Sequence, residues 1–172
     1  MKVDGGPGTK APLEAIGPAA AAAERDGYDG VVVPETIHDP FVQLTLAAQA
    51  TERVELATKV AIAFARSPMT LAYTANDLQQ LSAGRLVLGL GTQVKPHIVR
   101  RFSMPWSRPA GPARTRACGR RAVWDAWNEQ RPLDFRGEFF THTLMNPLFC
   151  PPPNPFGRPR VMLAGVGPRM IG

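Results

Sequence analysis

Three times before residue 83, a strand-like run ends in polar or small residues and a helical stretch follows. Few folds accept that order, because a strand followed by a helix must return parallel to itself with the helix packed on the sheet. The first unit is a short strand at Lys2–Asp4, closed by Gly5-Gly6-Pro7-Gly8, then a helix over Leu13–Asp26 with the alanine run Ala19–Ala23 at its centre. The second is Gly30–Glu35, whose three consecutive valines predict burial on both faces. Asp39-Pro40 then reads as an N-cap followed by proline at the first helical position, with Phe41, Leu44, Ala48 and Thr51 on the buried face. The third is Val54–Ala63. Its alternation predicts Val54, Leu56, Thr58, Val60 and Ile62 on one face and Ala57, Lys59, Ala61 and Ala63 on the other. Arg66-Ser67-Pro68 opens a helix to Leu81, with Met69, Ala72, Ala75, Leu78 and Leu81 inward.

A fourth strand, Leu86–Leu90, delivers Gly91-Thr92-Gln93 to the same end of the sheet. The repeated unit predicts an α/β fold, either a (β/α)8 barrel or an open doubly wound sheet. The first strand-to-helix turn lacks G-x-G-x-x-G, which argues against a dinucleotide-binding unit.

After Gln93 the rhythm stops. Lys95–Pro112 reads as a long loop rich in Pro, Arg and Trp, and a weak helix signal returns over Arg114–Asn128, where Val123, Trp124 and Trp127 have the spacing to pack. Leu133–Phe140 reads as a short hairpin, with His142 beyond it expected on the surface. Pro147–Pro159 reads as an extended connector, and Arg160–Ala164 as a fifth strand ending in Gly165-Val166-Gly167-Pro168.

Charge is concentrated in this second region. Lys95–Arg131 holds nine Lys or Arg against two acids, whereas the chain as a whole carries +6. The block lacks regularly interleaved aromatics and any nucleic-acid motif, so a solvated insertion is expected rather than a nucleic-acid interface. No apolar run has the length of a membrane span and the N-terminus has no signal-peptide core, so a cytoplasmic protein with no membrane partner is expected. Cys118 and Cys150 lie far apart without metal spacing and read as unrelated thiols. No Ser-His-Asp order, paired carboxylates or metal-ligand cluster stands out, and no metal is expected. Glu35 and His38, at the end of the second strand, are the candidate proton-handling pair.

Several stretches resemble the luciferase-like monooxygenase superfamily, and within it the coenzyme F-420-dependent oxidoreductases. They are Pro34-Glu35-Thr36-x-His38-Asp39-Pro40-Phe41, Ala63–Thr70, Leu88–His97, Arg101–Trp106, Phe135–Phe140 and Leu163–Pro168. The resemblance implies a (β/α)8 TIM barrel with an insertion after strand four, here at about 95–159. Residues 1–172 would be the N-terminal part of that one domain, with five βα units or so. Family chains continue through further units, so a C-terminally truncated copy is expected, and with it either an active enzyme or an inactive fragment. The implied function is hydride transfer between a reduced deazaflavin, coenzyme F-420, and a small organic substrate. The alternative is an FMN-dependent monooxygenase of the same fold. Glu35 and His38 would be catalytic. A cis peptide at Lys59–Val60, with Ala61, would back the ring, and Gly91, Thr92 and Gln93 would line one side. Gly165, Val166 and Gly167 would hold the cofactor phosphate. Relatives often pair, so a homodimer is expected.

Overall fold

The computed structural model describes residues 1–106 and 110–165, and for 110–118 the backbone alone. Its centre is a parallel sheet. Strand β1 (Asp4–Gly5) pairs with β2 (Gly30–Val33), and β2 pairs with β3 (Glu55–Thr58). Next comes β5 (Leu86–Gly91), which pairs first with β3 and then, at Leu90 and Gly91, with β4 (Ala61–Ile62). The far neighbour of β5 is β8 (Arg160–Leu163). Each strand is therefore added beside its predecessor in the progression of a barrel wall. Among the described residues β1 and β8 are its two edges and the wall does not close.

Helices α1 (Leu13–Arg25), α2 (Pro40–Ala50) and α3 (Pro68–Leu81) follow β1, β2 and β4. Their starts obey the capping chemistry. Asp39 accepts from the Phe41 amide and Ser67 accepts from the Thr70 amide, each with proline at the start of the helix. Ile16, Ala20, Leu44, Ala47, Leu71 and Ala75 from the helices pack on Val31, Val33, Leu56, Leu86 and Leu88 from the strands. The expected inward face of α2 is buried at Phe41, Leu44, Ala48 and Thr51. That of α3 is buried at Ala72, Ala75 and Leu78, with Met69 packed against it, and departs only at its end. Leu71 and Gln79 are buried, whereas Leu81 is 47% exposed because it ends the helix beyond the sheet.

The third strand departs most from its sequence pattern. Regular pairing stops at Thr58, the Lys59–Val60 peptide is cis, and pairing resumes at Ala61. The predicted alternation fails there, since Ala61 and Ile62 are both buried. A 3-10 turn, Ala63–Ala65, takes the place of the strand's last residue. The outer ends also shift. The first strand is Asp4–Gly5 instead of Lys2–Asp4, and the second stops at Val33, leaving Pro34 and Glu35 in the turn.

The second region is more ordered than its composition predicts. A single π-type turn, His97–Arg101, lies in the expected loop, and α4 runs from Ala110 to Asn128, starting earlier than Arg114. Its anchor is aromatic. Val123, Trp124 and Trp127 are buried, and Trp124 donates its indole N–H to the Ala72 carbonyl of α3 at 3.0 Å. The basic block is not uniformly solvated, for Arg120 is 0% exposed. The hairpin pairs β6 (Phe135–Arg136) with β7 (Thr141–His142). His142 is accordingly half-buried and not a freely exposed side chain. Its ring stacks between Phe135 and Phe140, its Nε2 is buried, and burial pushes its pKa down. The connector is tied to the core where Asn154 donates to the Asn76 side chain and backbone. Cys150 is a free thiol.

Candidate functional site

A parallel α/β sheet exposes its loops, and hence its chemistry, beyond the C-terminal ends of its strands. At that end lies a pocket of about 250 Å³ lined by Pro34, Glu35, Lys59, Val60, Ile62, Gly91 and Gln93. Four of the expected site residues therefore share it: Glu35, Lys59, Val60 and Gly91, with Gln93 as a fifth. They arrive from three strands, β2, the β3–β4 break and β5.

The glycines of β5 make room for the break. A Cβ on Gly89 would meet the Thr58 carbonyl oxygen at 1.9 Å, and one on Gly91 would meet Val60 Cγ2 at 2.5 Å. No side chain fits at either position without moving the neighbouring strand. The Thr58 hydroxyl donates to the Gly89 carbonyl at 2.6 Å and locks the pair. The close approach expected at Gly91 is thus used by Val60, a wall of the pocket. Gln93 has a left-handed φ of 59° and turns its Oε1 back to accept from the Val94 amide at 3.0 Å. Thr92 is half-buried between Gly91 and Gln93. Lys59 points its ammonium to Asp4 at 3.4 Å, on the exposed rim.

Glu35 is the most constrained polar group in the pocket. Its side chain is only 6% exposed. Its Oε2 accepts from the Ile62 amide and from Nη1 of Arg66, both at 2.7 Å. Nη2 of Arg66 reaches Asp39 at 2.7 Å, and the guanidinium lies 5.2 Å from the centre of the Phe41 ring. Burial opposes the Arg66 charge, but the two carboxylates outweigh it and hold its pKa above the ordinary arginine value. Asp39 does two jobs, since its other oxygen caps α2. One ion network therefore joins the end of β2, the start of α2, β4 and the start of α3.

His38 lies three residues beyond Glu35, half-buried, and does not line the pocket. The expected Glu35–His38 pair is not assembled by direct contact, and the partner brought to Glu35 is Arg66. Gly165 follows β8, whose ladder extends through the Ala164 amide to the Leu90 carbonyl at 2.8 Å. Gly165 is thus at the strand end beside Gly91, while Val166 and Gly167 lie outside the described residues. Arg66, Asp39 and Ile62 were not legible as site residues. The only signal was an arginine set in the apolar stretch Ala61–Ala65 just before a capped proline. Among the described residues no group of three His, Cys, Asp or Glu could hold a metal ion, and no helix is long and apolar enough to cross a membrane.

Comparison with known proteins places this geometry among relatives. A family model described as luciferase-like monooxygenase matches residues 1–172. An uncharacterised Mycobacterium tuberculosis protein, Rv1360, is 53% identical over 152 residues, covering 88% of this chain and 45% of that protein. A second M. tuberculosis protein, Rv3520c, provisionally named a coenzyme F-420-dependent oxidoreductase, is 38% identical over 94 residues, 51% of this chain and 27% of its own. The chain spans about half the length of the first of these curated relatives. Among solved structures, the oxygenating component of 3,6-diketocamphane monooxygenase from Pseudomonas putida, in complex with FMN, superposes with a TM-score of 0.76. It is 17% identical, over 95% of this chain and 51% of that one, so the likeness is one of fold.

Proposed function

The chain belongs to the luciferase-like monooxygenase family, and from that premise we propose that it serves an oxidoreductase that uses coenzyme F-420 to move hydride to or from a small organic substrate. The observation that carries the proposal is the pocket at the strand ends, where residues from β2, the β3–β4 break and β5 meet. Pro34, Val60 and Ile62 give it apolar surface, and Glu35 and Gln93 give it polar tips, the mixture suited to the edge of a flat heteroaromatic ring. Its volume of about 250 Å³ suits part of such a cofactor. The choice of F-420 follows the sequence relative whose name carries that cofactor.

When bound, the reduced deazaflavin supplies hydride at C5. The chain's own residues have simpler tasks. Val60, with the fully buried Ala61 behind it, would back the ring, and Gly91, Thr92 and Gln93 would form one side. Gly165, with Val166 and Gly167 of the glycine stretch read from the sequence, would supply backbone amides to the phosphate, the usual role of a glycine turn at a strand end. Glu35 would orient the bound molecule, and His38, half-buried three residues beyond it and outside the pocket lining, would be the group that exchanges the proton.

A second reading is an FMN-dependent monooxygenase, favoured by the fold likeness to an FMN complex. Anaerobic fluorescence titration of the protein with F-420 and with FMN separates the two. Saturable binding of F-420 with weaker FMN binding is expected. Tight FMN binding without F-420 binding would overturn the deazaflavin assignment in favour of the second reading.

A further inference from the structure

We infer that Arg66 is a positioning residue that presents the second oxygen of Glu35 to the pocket, so that the pocket selects a ligand with a neutral O–H or N–H donor. The inference rests on the ligand pocket proposed above and concerns what that pocket recognises.

The two oxygens of Glu35 have different surroundings. Oε2 takes both strong donors, the Ile62 amide and Arg66 Nη1, at 2.7 Å each. Among the described residues no donor is directed at Oε1, and Oε1 is not one of the sealed, unsatisfied polar atoms. Glu35 is a lining residue of the pocket. Its remaining acceptor capacity therefore opens there. A carboxylate oxygen has lone pairs only, so it accepts and does not donate.

Arg66 does not compete for the ligand. One arm is held by Glu35 and by the Ile62 carbonyl at 3.3 Å, the other by Asp39, and Phe41 lies against the plane. Its guanidinium is a planar fork, and this fixed two-arm geometry is what a lysine ammonium reproduces only in part. The corner therefore offers the ligand an acceptor backed by a cation, while the pocket's other cation, Lys59, points its ammonium to Asp4 on the exposed rim. A hydroxyl or N–H donor gains a charge-assisted hydrogen bond there, whereas a carboxylate or phosphate group would face Glu35 directly. The donor can come from two sources, the edge of the cofactor ring or a carbinol substrate, and they share this chemistry.

The test compares wild type with Glu35→Gln, Arg66→Lys and Arg66→Met, each checked for a cooperative melt. Two arms are read by fluorescence: affinity for F-420 or FMN, whichever the wild type binds, and the affinity of that complex for 2-propanol and for propionate. About a tenfold loss in the first arm for Glu35→Gln and Arg66→Met assigns the donor to the cofactor. A comparable loss confined to 2-propanol in the second arm assigns it to the substrate. Arg66→Lys should recover part of the loss, which a merely structural role would not link to ligand chemistry. Unchanged affinities in both folded variants, or propionate bound as tightly as 2-propanol by the wild type, would overturn the inference. Binding of FMN in place of F-420 would fail the cofactor proposal and leave this one standing. If Arg66→Met does not fold, Glu35→Gln decides, because its amide oxygen still accepts from the Ile62 amide.

Discussion

The segment from β1 to β5 and the segment from His97 to β8 reach order by different means. In the first, neighbouring elements along the chain are neighbours in space. Strand pairing runs β1, β2, β3, β5, and each helix packs on the strands it joins. In the second, order comes from the β8 ladder on β5 and from distant side-chain anchors: the Trp124 indole on Ala72, Asn154 on Asn76, and the Tyr73 hydroxyl on the Phe149 carbonyl. All three anchors grip α3. The first segment is thus a scaffold on which the second is hung, and damage to the second should leave the first recognisable.

The most severe break should come at Gly89, where the scaffold tolerates no side chain. Gly89→Ala puts a Cβ 1.9 Å from a backbone oxygen of β3, which has no flexible end to move. A loss above about 4 kcal/mol is expected, the scale of the worst core clashes. Urea unfolding or failure to recover soluble protein checks it. Trp124→Ala should cost about 3–5 kcal/mol, from lost burial and the lost indole hydrogen bond to the Ala72 carbonyl. If the scaffold picture holds, amide exchange in β2, β3 and β5 stays slow in this variant while α4 loses protection. Uniform loss across both would merge the two segments into one cooperative unit.

A smaller effect sharpens the scaffold's internal ties. Ser67→Ala removes the cap of α3 and should cost about 1 kcal/mol, read as a lower urea midpoint at unchanged slope. A pH effect should come from Glu24, whose carboxylate accepts from the amides of Glu52, Arg53 and Val54 at the entry to β3. Burial alone would raise its pKa, but those backbone hydrogen bonds outweigh it and hold it below the ordinary glutamate value. Its folded pKa is depressed, so its contribution is complete above the unfolded carboxyl range and fades as pH falls through the folded value. Glu24→Gln should therefore flatten the acid side of the stability–pH curve below about pH 4.5 and leave its neutral shape alone.

The scaffold was legible because its rules are local. Asp39-Pro40 and Ser67-Pro68 are capping signals that any helix obeys, and the Val31-Val32-Val33 run needs burial on both faces wherever it goes. The site was legible in part for the same reason, because strand ends converge and carry Glu35, Gly91 and Gln93 with them. The break at Lys59–Val60 was expected from family resemblance and not from alternation, which predicts an uninterrupted strand. His142 and Arg120 were misjudged because polar side chains are assigned to solvent by default, and only packing against Phe135 and Phe140, or inside α4, reverses that.

By itself, then, the sequence determined the parallel α/β order, the helix starts and the end of the sheet where a ligand would sit. Each follows from the preferences of a short window of chain. Tertiary structure alone decided that Arg66 holds Glu35, that Gly89 and Gly91 fit the bend of β3 into β4, and that Trp124 carries α4 onto α3. Those are meetings between residues thirty or more positions apart, where the deciding quantities are distance and burial, and neither is written in any one stretch of sequence.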